Sequence, residues 1–165
     1  MNIRKAKEKD FKEIWPIFKE VISKGDTYVF APDTNEEDGY SFWFGEGITS
    51  YVIEDNGQIV GMYRLIANQR DLGSHVANAS FMVSSKHQGK GIGKTMGLHC
   101  LKEAKKAGFN AIQFNFVVST NVGAVKLWEN LGFKIVGTLP KAFNHLGLGL
   151  VDVYIMHMFL DDIQI

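Results

Sequence analysis

The segment Gln88-Gly-Lys-Gly-Ile-Gly-Lys94 lies between a strand-like run that ends near Val83 and a helical pattern that begins at Gly91. Glycines allow a tight backbone turn and bring several main-chain N–H groups close to a ligand. The first N–H groups of a helix have no partner inside the helix, and the helix dipole is positive at that end. We therefore predict an anion site here, suited to a phosphate or diphosphate, with Lys90 and Lys94 adding positive charge.

Two better-known phosphate-binding loops do not fit this segment. A mononucleotide P-loop, G-x-x-x-x-G-K-[ST], needs a glycine where Gln88 stands, although Gly93-Lys94-Thr95 matches its end. The dinucleotide fingerprint G-x-G-x-x-G fails because Met96 stands where its last glycine belongs. What remains is Q-x-x-G-x-G at a turn from strand to helix. A glycine-rich turn without any ligand is the purely structural alternative.

Length and composition favour one ordinary domain. The chain has 165 residues, of which 45% are hydrophobic and 22% are charged, enough apolar sequence for a single core. The 18 basic residues balance 18 acidic ones; we therefore predict neither nucleic acid nor membrane as a partner, because both attract a basic excess. Cys100, the one cysteine, offers neither an internal disulfide nor a metal cluster. We therefore expect no metal. We expect a cytoplasmic location, because the N-terminal residues lack the apolar core of a signal peptide.

The hydrophobic pattern predicts a single mixed α/β domain over residues 1–165. The predicted order is a short edge strand (2–7), helices at 10–25 and 34–44, strands at 50–54 and 58–67, a strand at 75–83, a helix at 91–107, a strand at 111–118, a helix at 121–131, and strands at 133–138 and 149–160. Asp55-Asn-Gly57 is a hairpin turn signal, and Gly61 marks a bulge. Asp10 and Glu13 resemble a capping box. Residues 139–148 are predicted to form a long loop.

A second motif accompanies the glycine loop. Residues Asn121 to Phe133 read N-x-x-A-x-x-L-W-x-x-x-G-F. Together the two motifs resemble the signatures of the GNAT superfamily of acetyl-CoA-dependent N-acetyltransferases, in the family's order and in the expected elements. The resemblance covers about Ala79 to Gly137, whereas the N-terminal half agrees only in its order of elements. It implies a mostly antiparallel sheet of about seven strands, flanked by about four helices, with a splayed central strand pair.

The resemblance also implies where acetyl-CoA would bind. In the family, the pantetheine arm lies between the splayed strands and pairs with exposed backbone groups, as a peptide strand would. Here that role falls on Phe81, Met82 and Val83, and a backbone N–H near Met82 or Val83 would stabilise the developing oxyanion. Asn121 would contact the arm, or only cap its helix, or do both. The residues expected to hold the diphosphate are Gln88, Gly89, Lys90, Gly91, Ile92, Gly93 and Lys94.

The acceptor half of the cleft is predicted from side chains. The arrangement F-N-x-V-x-x-T-N over residues 114–121 resembles fungal N-acetyltransferases that act on the proline analogue azetidine-2-carboxylate, in which matching asparagines bind the substrate. The resemblance assigns Asn78 and Asn115 to catalysis and substrate binding. An amide side chain accepts a hydrogen bond from an amine and donates one to a carboxylate, so the assignment is chemically sensible. We also expect an aromatic wall, with ordinary core packing as the alternative, formed by Tyr28, Phe30 and Trp43.

The group that takes the amine proton is not identified by the sequence. Glu54 lies on an early strand, and His75 and His145 are equally compatible with structural roles. Trp128 stands where many family members have a tyrosine that protonates the leaving sulfur, a reaction that an indole N–H does not support. We predict that Trp128 and Cys100 are core residues instead.

Several functions stay open at this point. The first is direct acetyl transfer to the amine of a small molecule, an amino acid or an analogue. The alternatives are a non-catalytic acyl-CoA-binding sensor and a protein N-acetyltransferase, although the neutral net charge gives no sign of an acidic groove for basic tails. Family members are often dimers through their last strands, and the apolar run Val151–Leu160 permits a homodimer.

Overall fold

A computed structural model describes residues 1–161 and 163; of the predicted domain, residues 162, 164 and 165 lie outside the described residues. The strands are β1 (Asn2–Lys5), β2 (Thr49–Asp55), β3 (Gln58–Ala67), β4 (Val76–Val83), β5 (Ala111–Val118), β6 (Lys134–His145) and β7 (Gly149–Phe159). The α-helices are α1 (Phe11–Ser23), α2 (Glu36–Phe44), α3 (Ile92–Lys106) and α4 (Val122–Asn130). No helix in this described part is long and apolar enough to cross a membrane.

The seven strands form one sheet in the order β1-β2-β3-β4-β5-β7-β6. The β4–β5 pair is parallel, and each of the other neighbouring pairs is antiparallel. Strands β4 and β5 pair only at Val76 with Ala111 and at Ala77 with Ile112, and then diverge. This arrangement confirms the predicted mixed sheet with four helices and a splayed central pair.

Each face of the sheet carries its own apolar core. Alternating residues of a strand point to opposite faces: on β3, Met62 packs with α1 and α2, while Tyr63 packs with α3 and α4. The same alternation on β4 gives Met82 to the first layer and Phe81 to the second. Residue 80 and residue 78 therefore face α1 and α2. This division decides which side chains of β3 and β4 face α1 and α2 and which face α3 and α4.

The β2–β3 hairpin forms as the sequence predicts. Asn56 and Gly57 have positive φ values of +50° and +77°, as a two-residue type I′ turn requires. The predicted bulge is present, but the extra residue is Val60, one position before Gly61. A Cβ atom on Gly61 would lie 3.0 Å from the carbonyl oxygen of Met82, so glycine allows the close approach of β4.

The prediction of a long loop over residues 139–148 is wrong. Strand β6 continues to His145, and a three-residue connection leads directly into β7. Pro140 and a register shift between Leu139 and Phe143 break the alternating pattern, and β6 is an edge strand, where proline is tolerated. Buried Phe143, packed against Val153, anchors the strand despite this irregularity.

The Asp10 carboxylate does not cap α1, contrary to the capping-box prediction. It accepts hydrogen bonds from the Arg4 guanidinium, at 2.6 Å from Nη1, and from the Lys7 N–H at 2.8 Å. Arg4 also binds Glu54, with 2.8 Å between Nε and the carboxylate. Hydrogen bonding to Arg4 holds the pKa of Asp10 below its usual value. Glu54, which was considered as the group that takes the amine proton, is therefore bound in this ion-pair group.

Candidate active site

A cavity of about 790 Å³ lies where β4 and β5 diverge. Its volume is within the range of small-molecule sites. One end is formed by the glycine loop and the starts of α3 and α4, and the other by residues 27–30, Phe42 and Arg64. None of the described residues that line it is an aspartate or glutamate, whereas Arg64 and Lys94 bring positive charge. The cavity thus favours anionic ligands.

The glycine-loop end has the geometry of an anion cradle. Gly89 and Gly91 both have a φ of +76°, which favours glycine, and a Cβ on either would meet no atom within 4 Å. Gly91 is the N-cap of α3, and no side chain in the described part of the chain caps the helix. The first N–H groups of α3, from Ile92 to Lys94, are therefore available to a ligand. The residues fit the diphosphate of coenzyme A.

The structure brings most of the predicted diphosphate residues to the cavity. Those that line it are Gln88, Gly89, Gly91, Ile92, Gly93 and Lys94. Lys90 is exposed and is not among the residues that line the cavity, so its role at the diphosphate stays a prediction. His87 was missed: it lines the cavity, and its Nδ1 atom is buried without a hydrogen-bond partner among the described residues. Its only sequence signal is its position just before the loop.

The three predicted backbone contacts on β4 differ from one another. The backbone groups of Phe81 are already bound by Tyr28. The Tyr28 hydroxyl donates to the Phe81 carbonyl at 2.6 Å and accepts from the Phe81 N–H at 3.0 Å. Successive residues of an antiparallel strand direct their backbone groups to opposite sides. Met82 therefore directs its groups toward β3, where its carbonyl approaches Gly61. Val83, on the same side as Phe81, is left with its N–H toward the cleft.

Two of the three predicted aromatic wall residues line the cavity. Tyr28 and Phe30 do so, and burial raises the pKa of Tyr28 to about 12. Trp43 is a correction: it is fully buried in the core beneath α1. Its neighbour Phe42 lines the cavity instead and contacts Phe30, with 4.8 Å between ring centroids. Because four of the last five residues of α2 are aromatic, the sequence does not indicate which ring faces the cavity.

All three predicted asparagines line the cavity. Asn78 projects from β4 and Asn115 from β5. The Asn115 amide donates to the side-chain oxygen of Asn68 and accepts from the Gln113 amide at 2.9 Å. Asn121 is the N-cap of α4 and accepts from a backbone N–H three residues on, at 3.4 Å. The structural role predicted for Asn121 is therefore present, beside its position in the cavity.

The histidines considered as bases lie elsewhere. His75 is exposed and does not line the cavity. His145 accepts hydrogen bonds from two backbone N–H groups of the β6–β7 turn through its Nδ1. Among the described residues there is no cluster of His, Cys, Asp or Glu that could hold a metal ion.

The two residues predicted to be core are core. Trp128 is 7% exposed, and its ring packs on Phe81 and Phe114 at centroid distances of 4.7 and 4.8 Å. One edge of this aromatic group also lines the cavity. Cys100 is buried on the inner face of α3, and burial raises the pKa of its thiol. A thiol in that state is a poor nucleophile.

Comparison with known proteins agrees with this geometry. The family model described as Acetyltransferase (GNAT) family matches residues 10–133. The chain belongs to the GNAT family. A GCN5-related N-acetyltransferase from Kribbella flavida superposes with a TM-score of 0.90 at 38% identity, covering 96% of each chain. The fold is also shared with yncA of Salmonella typhimurium, a putative acetyltransferase solved with acetyl-CoA: the TM-score is 0.87 at 22% identity, over 100% of this chain and 96% of that one.

Two curated relatives differ in how much of the chain they match and in their identity to it. N-acetyltransferase aca1 of Schizosaccharomyces pombe is 36% identical over 98 residues, which are 59% of this chain and 47% of that protein. The chain therefore spans about half of that relative. L-amino acid N-acyltransferase MnaT of Escherichia coli is 26% identical over 168 residues, covering 98% of this chain and 95% of the relative.

Proposed function

We propose that this GNAT protein is an acetyl-CoA-dependent N-acetyltransferase that transfers the acetyl group directly to the amine of a small, amino-acid-like molecule. The observation that carries the proposal is a single cavity with a main-chain anion cradle at one end and amide, aromatic and arginine side chains at the other. The similarity to an enzyme named L-amino acid N-acyltransferase over nearly the whole length of both chains supports it. Azetidine-2-carboxylate is one candidate acceptor of this class.

The cofactor end would hold acetyl-CoA through main-chain groups. Acetyl-CoA supplies the acetyl group activated as a thioester. The N–H groups from Ile92 to Lys94, with the Lys94 ammonium, would bind the diphosphate. The Val83 N–H, directed into the cleft, would donate to the thioester oxygen as negative charge develops there. Such a donor typically contributes about 3 kcal/mol of transition-state stabilisation.

The acceptor end would position the amine. Asn78 and Asn115 reach the cavity from the two diverging strands, and each can accept a hydrogen bond from an amine. Since no described residue of the lining is a carboxylate, we propose that the amine loses its proton to water. Only the neutral amine attacks, so the rate should rise with pH until the bound amine is fully deprotonated.

Acetylation assays of the purified protein test this function. The acceptors would be the common amino acids, azetidine-2-carboxylate, simple alkylamines, polyamines and lysine-containing peptides. Release of the coenzyme A thiol and the mass of the product would identify acceptors, while calorimetry with acetyl-CoA, coenzyme A and ATP would identify the cofactor. We expect acetyl-CoA binding and turnover of at least one small amino acid. Binding of ATP but not of coenzyme A would contradict the proposal.

Two observations favour a second candidate, a non-catalytic acyl-CoA sensor. The cavity lining lacks a carboxylate base among its described residues, and Trp128 replaces the tyrosine expected as an acid. A sensor would bind acetyl-CoA tightly and release no thiol with any acceptor in the panel. The same lack of carboxylates disfavours a protein N-acetyltransferase that takes a basic tail, because nothing in the described lining would attract a lysine-rich peptide.

We also propose a homodimer through the last two strands. Edge strand β6, its partner β7 and the turn between them present exposed apolar side chains, which commonly mark an interaction surface. These are Ile135, Val136, Leu139, Leu148, Leu150 and Phe159. Light scattering after size exclusion would measure the mass, and a monomer at all concentrations would contradict the dimer. The cytoplasmic location stays a prediction, which cell fractionation would test.

A further inference from the structure

Arg64 brings an isolated positive charge to the acceptor end of the cavity. It lies on β3, opposite Ser80 of β4, and is half-buried. Its guanidinium carbon lies 3.6 Å from the centre of the Phe42 ring, and its Nη1 donates to the Phe42 carbonyl at 3.0 Å. Its Nε lies 3.5 Å from the Ser80 hydroxyl. Burial lowers the pKa of Arg64 to about 10, so the side chain is charged at neutral pH.

A buried cation ordinarily has a carboxylate partner, because burying an unpaired charge is costly. Arg4 shows the ordinary case, with both Asp10 and Glu54 in contact. Arg64 has no such partner among the residues that the structure describes. A guanidinium carries five N–H donors, and the Phe42 carbonyl and Ser80 hydroxyl engage only two of its nitrogens. The remaining donors fit a ligand that brings its own negative charge.

The neighbours of Arg64 indicate what kind of anion this is. Asn78 lies two residues from Ser80 on β4, so both side chains point to the face that Arg64 occupies. The aromatic rings of Phe30 and Phe42 limit the space around the guanidinium. A planar fork matches a carboxylate with two parallel hydrogen bonds, and an amide beside it suits an adjacent amine.

We infer that Arg64 binds the carboxylate of the acceptor, so that the enzyme selects α-amino and α-imino acids over amines that lack a carboxylate. The inference rests on the proposed acetyltransferase function and assigns its substrate class. With the carboxylate held by Arg64, the neighbouring amine lies within the half of the cavity that contains Asn78. The same positive charge disfavours polyamines and lysine side chains.

Matched acceptors test the inference directly. L-Methionine, L-leucine and L-phenylalanine are each compared with the corresponding α-amide and decarboxylated amine, and kcat/KM is measured for every compound. For the wild-type enzyme we expect kcat/KM to be on the order of 10- to 100-fold higher for at least one amino acid than for its amide, the usual contribution of hydrogen bonds to a charged group. Arg64→Gln should bring this ratio close to one, mainly through the acceptor KM.

Two further variants separate charge from structure. Arg64→Lys keeps the charge without the planar fork, and should retain an intermediate preference for the carboxylate. Arg70→Gln is the matched control, because Arg70 is exposed between β3 and β4 and does not line the cavity. It should leave the preference unchanged. Thermal unfolding and acetyl-CoA titration of each variant would establish that the fold and the cofactor end are intact.

The outcomes distinguish the two proposals. Turnover of amides or simple amines as efficiently as amino acids by the wild-type enzyme would overturn the role of Arg64 and leave the acetyltransferase function standing. So would an undiminished carboxylate preference in folded Arg64→Gln. Acetyl-CoA binding without turnover of any amine would overturn the acetyltransferase function itself, and the role of Arg64 in an acetyltransferase with it.

Discussion

The two ends of the cavity would hold their ligands by different means. The glycine-loop end offers main-chain N–H groups, placed by two glycines at positive φ and by the start of α3. The acceptor end offers side chains from β3, β4, β5, α2 and residues 27–30. A site made of main-chain N–H groups is disrupted when a new side chain enters the space of its ligand. A site made of several side chains can lose one contact and keep the others. Changes at the two ends should therefore differ in size and in the ligand that they affect.

The largest expected effect is at the glycine-loop end, in Gly91→Asp. The new side chain would enter open space and place a negative charge where the diphosphate is expected. Two like charges near a protein surface repel by about 4 kcal/mol at 4 Å, so we expect acetyl-CoA affinity to fall on the order of 100-fold or more. Calorimetric titration with acetyl-CoA would measure the change.

Gly57→Asp is the matched control for that experiment. Gly57 also has a positive φ, +77°, with no atom within 4 Å of a Cβ, but it lies in the β2–β3 turn away from the cavity. Both variants should lose similar stability from backbone strain, and only Gly91→Asp should lose the cofactor. Wild-type affinity in Gly91→Asp would show that this loop does not bind the diphosphate.

A smaller effect is expected at the acceptor end, in Asn115→Ala. Removing one hydrogen-bonding amide from a chamber with several polar groups should raise the acceptor KM or lower turnover by about 10-fold, with acetyl-CoA affinity nearly unchanged. Steady-state kinetics with both substrates varied would separate the two effects. Asn130→Ala, at the exposed end of α4, is the control. A loss of acetyl-CoA binding alone would mean that the two ends are wrongly divided.

The same contrast explains what could be predicted from the sequence. The glycine cradle is local, since its conformation depends on a few consecutive residues, and Gly89 and Gly91 adopt the positive φ values that the motif indicates. The contact between Arg64 and Phe42 joins residues that are distant in sequence. It depends on the β3–β4 register and on the rotation of α2 about its axis, and a short sequence motif predicts neither. The first half of β6 was predicted as a strand, whereas residues 139–145 were predicted as a loop, because Pro140 and the register shift interrupt the alternating pattern and only the pairing with β7 shows the strand to continue.

Tyr28→Phe tests the contact that residues 27–30 make with β4 through the Tyr28 hydroxyl. Its hydroxyl satisfies both backbone groups of Phe81, so its loss leaves an N–H and a carbonyl without that partner. We expect the free energy of unfolding to fall by about 1 kcal/mol, with a several-fold rise in acceptor KM as residues 27–30 lose their anchor. Denaturant unfolding and kinetics would measure both.

Tyr40→Phe, on α2 outside the cavity, is the control for Tyr28→Phe. It should change neither the free energy of unfolding nor the acceptor KM appreciably. A rise in acetyl-CoA affinity in Tyr28→Phe, with acceptor KM unchanged, would show that the hydroxyl competes with the cofactor for Phe81. Residues 27–30 would then control cofactor binding as well as acceptor binding.

The smallest expected effect concerns the ion pair of Arg4 with Asp10 and should appear only in stability. Asp10 has a lowered pKa because Arg4 binds it. Its contribution is therefore complete above the unfolded-state value of about 4 and is lost as the pH falls through the folded-state value. Asp10→Asn should lower the free energy of unfolding by about 1 kcal/mol at neutral pH and flatten its decline toward pH 3, with the preference for carboxylate acceptors untouched. Denaturant unfolding between about pH 3 and 7 would measure this. An unchanged pH slope would mean that the Arg4–Asp10 pair contributes little to the pH dependence of the free energy of unfolding.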